Sequence, residues 1–167
     1  MKKILVYLTV GLLVGLFTAS ILTSGDTVQV TLTYTIPTVT TFNVQYPTGE
    51  SGITFEPTGA SFTDQPAKGQ GASICAMNVT NTGNTNIKID ASLTTDLPTG
   101  VTEFRLTESN SASGGWYWTD ANETTSQTII SSLASSAVEE FWAWTTGSNV
   151  PAGTYTSTKL ELVSSAV

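Results

Sequence analysis

The chain has no histidine and a single cysteine, Cys75, among its 167 residues. One cysteine closes no intramolecular disulfide, and without histidine a thiol or hydroxyl nucleophile lacks its usual activating base. Cys75 lies in the alternation Cys75, Met77, Val79, where a small buried hydrophobe is expected. Charge is sparse as well: 6 basic and 13 acidic residues give a net −7. Such a chain repels phosphates and has no basic patch to hold them, which excludes nucleic acid as a partner. No Walker loop, GxGxxG, HExxH, CxxC or GxSxG occurs. The sequence is therefore read as that of a protein with no catalytic residue and no cofactor, not an enzyme.

What it does have is hydroxyl groups. Its 31 threonines and 18 serines make up nearly a third of the residues. Threonine is β-branched and hydrates well, so this composition suits the solvent faces of sheets. The length is that of one domain with a core of ordinary size, held by packing and hydrogen bonds alone.

The N-terminus opens with Met1-Lys2-Lys3 and continues in an apolar run from Ile4 to Leu22. Residues 1–24 read as an export segment. It is a signal peptide removed near the small residues Thr18 and Ser20, or Thr23 and Gly25, or else an uncleaved anchor long enough to span a bilayer. Either way the domain is expected outside the cell or on its surface, with membrane contact only through this segment. Removing it takes away Lys2 and Lys3 and leaves four basic residues against 13 acidic ones, a net −9.

Directly behind it, Thr27 to Ile36 (TVQVTLTYTI) has the longest regular alternation in the chain. Val28, Val30, Leu32, Tyr34 and Ile36 fall on one face of an extended strand, and Pro37 ends it. Residues 25–38 are accordingly a strand on an N-terminal arm, and 39–167 the domain proper. Within the domain the pattern predicts strands at Val39–Tyr46, Ile53–Phe55 and Ser73–Thr80, with residues 58–72 a loop. Asn81-Thr-Gly-Asn-Thr then joins Ser73–Thr80 to Asn86–Leu93 in what looks like the clearest hairpin. Further strands are expected around Phe104 and Leu106, Trp116 and Trp118, Ile129-Ile130, Val138–Thr146 and Thr154–Val163, with one possible helical turn at Ser131–Ser136. Strands every 8 to 12 residues indicate an all-β fold, a single immunoglobulin-like or jelly-roll-like β-sandwich.

Few groups suggest chemistry. Glu139 and Glu140 are adjacent on a strand and point to opposite faces, so they form no acid–base pair. Asp120 and Glu123 offer carboxylates for a cation, but two fall far short of an EF-hand spacing, and no metal site is assigned. Trp116, Trp118, Trp142 and Trp144 form either a sugar-stacking platform or, as alternating aromatics in a sandwich more often do, part of the core. Two glycosylation sequons are present, at Asn78 and at Asn122, both expected to face solvent.

The succession MNVTNTGNTNIKIDASL at 77–93, with VPAGTYTSTKLELV at 150–163, resembles small secreted β-sandwich proteins of prokaryotic and especially archaeal cell surfaces. Some of these are similar to subunits of archaeal bundling pili and of the bacterial TasA biofilm-matrix fibres. The resemblance implies that each subunit donates its N-terminal strand to a neighbour's sheet, with Val28, Val30, Leu32, Tyr34 and Ile36 as the donor residues. It implies as partners further copies of the same chain, arranged head to tail, and roles in filament formation, biofilm and adhesion. The alternatives are a monomeric surface module tethered by an uncleaved anchor, and a carbohydrate-binding module built on the tryptophans.

Overall fold

A run in which every second residue is apolar becomes a strand wherever a neighbouring backbone completes its ladder. In the computed structural model, which describes residues 33–167, nine strands form and no helix does. They are β1 (Phe42–Gln45), β2 (Phe62–Pro66), β3 (Met77–Asn81), β4 (Ile87–Leu93), β5 (Val101–Thr107), β6 (Trp116–Trp118), β7 (Gln127–Leu133), β8 (Val138–Gly147) and β9 (Leu160–Ala166). All lie within the unit Ile36–Val167. Residues 1–24, expected to be an export segment, and the expected donor residues Val28, Val30 and Leu32 lie outside the described residues.

The strands make two antiparallel sheets with one shared core, the arrangement of a β-sandwich. The larger follows the order β1-β3-β8-β5-β6, and the smaller β7-β4-β9. At ten residues β8 is the longest strand, and it explains the shape of the larger sheet. One of its edges carries β5. Along the other, β3 pairs with Val138–Phe141 and β2 with Trp144–Gly147, so two short strands share one long neighbour end to end.

The core follows from the alternation. Ile87, Ile89, Ala91 and Leu93 of β4 are buried while Lys88, Asp90 and Ser92 between them are not. They face Met77 and Val79 of β3, Phe141 and Ala143 of β8, and Phe104 and Leu106 of β5, all buried in the same cluster. Trp118 fills its centre with no exposed surface, its ring 5.7 Å from Phe104. At the turn before β6, Gly115 has φ +75° and passes so close to Leu106 O that a β-carbon there would collide with it.

Several expectations need correction. The Asn81–Thr85 connection is not a hairpin turn: β3 belongs to the larger sheet and β4 to the smaller, so the chain crosses between layers there. The buried side chain of Asn81 holds that corner. Its Nδ2 donates to Thr85 O and to Leu133 O at 2.8 Å each, and its Oδ1 accepts from Gly83 N at 2.9 Å. No strand forms at Ile53–Phe55, which instead packs two side chains against the core as irregular chain. The loop predicted at 58–72 contains β2, because β8 extends past the end of β3 and leaves an edge for it. The first strand of the domain is shorter than predicted, four residues, and the last begins at Leu160, where register with Leu93 starts. Ser131–Ser136 holds no helical turn, since Leu133 is still in β7 and pairs with Ile87. Cys75 lies ahead of β3 and is half-buried rather than a core residue.

Candidate functional site

The residues just before β1 are held in a compact hydrogen-bonded clasp. Asn84 donates from Nδ2 to Pro37 O and accepts at Oδ1 from Val39 N, both at 2.8 Å. Its own backbone N–H donates to Val39 O at 3.2 Å. One turn residue thus satisfies three backbone groups of an extended segment that has no sheet partner there. Thr82 N and Gly83 N both donate to Thr41 O at 3.0 Å. Gly83 comes so close to Val39 O that any β-carbon would overlap it, so the clasp requires glycine. Ser164 of β9 adds a bond from Oγ to Thr40 O at 2.9 Å, which places the segment before β1 beside β9.

Of the residues expected on the donor face, Tyr34 and Ile36 fall within the described chain. They are 75 % and 77 % exposed, and neither belongs to a strand. The clasp itself was not singled out in the sequence. Its signal was the NTGNT run, read as a turn between paired strands, whereas its asparagines hold a corner and the base of the arm.

The four tryptophans do not come together. Trp116 and Trp118 turn inward with Phe104 and Phe141, Trp116 lying 6.0 Å from Phe141. Trp142 and Trp144 take the opposite phase from Phe141 and point to the outer face of the larger sheet. Both outer indoles have their N–H satisfied, Trp142 by Gly71 O at 2.9 Å and Trp144 by Thr107 Oγ1 at 3.1 Å. Arg105, in register with Trp144 and Tyr117, pairs with Glu103.

Glu123 is buried and accepts from Leu97 N at 2.9 Å, pinning the connection between β4 and β5. It borders a shallow cleft of about 380 Å³ together with Asp96 and Asp120. Burial raises its carboxyl above the ordinary range, against the Leu97 bond, and the neighbouring Asp96 and Asp120 carboxylates add to the rise. Among the described residues, no three His, Cys, Asp or Glu side chains are placed to hold a metal ion. Glu139 and Glu140 are in register with Val79 and Asn78, on opposite faces of β8.

The sequon residues sit in different settings. Asn78 is half-buried in the middle of the larger sheet, between Gln45 of β1 and Glu140 of β8, and its Oδ1 is buried without a hydrogen-bond partner. Asn122 is engaged in its own turn: Oδ1 accepts from Thr119 N at 2.7 Å, and Nδ2 donates to Tyr117 O at 3.3 Å.

No protein-family profile, curated protein or solved structure matches the chain.

Proposed function

We propose that the protein is a structural subunit of an extracellular filament, a pilus or biofilm-matrix fibre, polymerised by donor-strand complementation. In this reading residues 1–24 export the chain, the domain is an immunoglobulin-like or jelly-roll-like sandwich, and the strand Thr27–Ile36 enters the sheet of the next copy. The observation that carries it is the exposure of Tyr34 and Ile36, three-quarters of each. They close the most regular apolar alternation in the chain, and Ile36 is left uncovered within its own unit. A strand of that pattern gains stability only by covering its apolar face, and a neighbouring copy offers a sheet to do so. Five such side chains contribute on the order of 10 kcal/mol gross, at about 1.5–3 each, before ordering costs. A head-to-tail contact of this kind does not close on itself and so propagates.

The test is substitution of the central donor residue. Leu32→Asp places an unpaired charge on the buried face and should abolish filaments in electron micrographs while the domain stays folded by circular dichroism. Deletion of residues 21–36 should give soluble monomers that bind a synthetic VQVTLTYTI peptide. Normal filaments from either variant would sink the reading. Unfolding of the deletion variant would instead make the stretch an ordinary first strand of its own domain and favour the surface module tethered by its anchor.

A further inference from the structure

Resting on the donor-strand reading, we infer that the acceptor is the edge of β9, which has no strand beside it among the described residues and takes the Val28–Ile36 face of a second copy as the fourth strand of the smaller sheet. The two sheets are unequal, three strands against a larger sheet with five in its main order. Ser164 of β9 bonds to Thr40, just before β1, so the outermost strands of the two sheets lie along the same side of the sandwich. On that side the inward residues are only half-covered: Phe42 and Val44 of β1, and Leu160 and Leu162 of β9. Their register partners one strand further in, Leu93 and Ala91 on β4 and Val79 on β3, are 0–4 % exposed. An added strand beside β9 would lie over β1 and cover all four.

The other edges are closed to a ten-residue strand by features that natural sheets use against edge pairing. The opposite edge of the smaller sheet, β7, already buries Ile129, Ile130 and Leu133, and its register with β4 breaks twice. The edge strand β6 has three residues and β1 has four. In β2, Pro66 removes a donor, Asp64 has φ +47°, and the register shifts. None of these defences occurs in β9. Its seven residues pair with β4 in unbroken register, and it contains no proline and no lysine. Its inward positions, Leu160, Leu162 and Ser164, carry no charge. A regular edge with uncharged inward positions, whose backbone has no further strand beside it among the described residues, is the surface an alternating strand adds to, with the ladder giving affinity and the half-open side-chain positions giving register.

The experiment uses the full exported chain with a photo-crosslinking amino acid at Thr33, which falls out of phase with the donor face. Filaments are assembled from a mixture of isotopically heavy and light chains, so that crosslinks within and between copies are told apart by mass. Amide exchange of the filament is compared with that of the Leu32→Asp monomer. The expected result is heavy–light crosslinks into residues 160–166, with alternate amides of β9 exchanging at least tenfold more slowly in the filament. Crosslinks to β1, β6 or β7 in filaments that still need Leu32 would overturn the choice of edge and leave the donor-strand reading standing. Crosslinks to β9 confined to the same copy would overturn the second copy as occupant. Filaments assembled by Leu32→Asp, or none from the natural chain, would overturn both.

Discussion

Asn84 holds Val39 by both of its backbone groups: the side-chain oxygen accepts from Val39 N at 2.8 Å, and the Asn84 N–H donates to Val39 O at 3.2 Å. With the bond to Pro37 O, the segment leading into β1 is fixed to a turn that itself bridges the two sheets. The chain just before β1 is therefore tied at three backbone groups. Asn84→Ala removes both side-chain bonds at an exposed site and should cost about 1 kcal/mol in urea denaturation. Exchange of the Val39 amide should accelerate.

Asn81 should matter more. It is fully buried, and its amide serves Thr85 O, Leu133 O and Gly83 N. Asn81→Leu keeps the branched shape but leaves Thr85 O and Leu133 O without that partner, while Gly83 N keeps its bond to Thr41 O. Each buried orphan costs about 1–3 kcal/mol, and partial relaxation should hold the total to about 3–5 kcal/mol. The denaturation midpoint should fall without a change in slope; a loss under about 1 kcal/mol would show that the corner is held by something else.

Stability should rise on mild acidification. Burial lifts the Glu123 carboxyl above its ordinary value of 4.5, helped by Asp96 and Asp120, and burial lifts Glu139 likewise, with Glu108 and Glu140 nearby. A carboxyl raised in the folded state binds its proton more tightly there than in the unfolded chain, so stability grows as pH falls from neutrality towards 4.5. Asp90 works in the opposite sense. Hydrogen bonds from Lys88 and Thr128 hold it below 3.8, and its contribution is lost as pH drops below that value. Thermal melts should therefore show a higher Tm at pH about 5 than at pH about 7.5, and Glu123→Gln should reduce the difference.

Cys75 should be dispensable. It is half-buried, and burial, with Glu140 close by, pushes its thiol above the ordinary range and away from the reactive thiolate. Cys75→Ala should shift Tm by less than a few degrees and leave assembly unchanged in the presence or absence of reductant. Loss of filaments from that variant would mean that the thiol takes part in assembly.

Strand positions were largely legible in the sequence, and strand partners were not. The alternation of Ile87, Ile89, Ala91 and Leu93 against Lys88, Asp90 and Ser92 gave β4 and its buried face, and Phe141 was placed opposite Trp142 and Trp144. Pairing failed at Asn81–Thr85 because NTGNT has the composition of a hairpin turn. What sends the chain to the other sheet is a buried amide reaching Leu133, 52 residues away. β2 was missed because FTDQP has neither alternation nor strand propensity; it is a strand only because β8 leaves an edge unoccupied. The arm was legible as a pattern, its clasp was not, since Asn84 recognises backbone groups and leaves no pattern in the residues it binds.

The shared edge of β8 also bears on when the domain can form. β2, β3 and β5 all take their ladder from residues 138–147, and of these three only β5 has another neighbour of later sequence, β6. Until that stretch is present, β1 can pair with β3, β4 with β7 and β5 with β6, but nothing joins β2, β3 and β5 into one sheet. Pairings this distant in sequence make folding slow, because loop-closure entropy is spent before the ladder rewards it. The larger sheet therefore closes late, when one stretch near the end of the chain joins pieces that until then have no common neighbour.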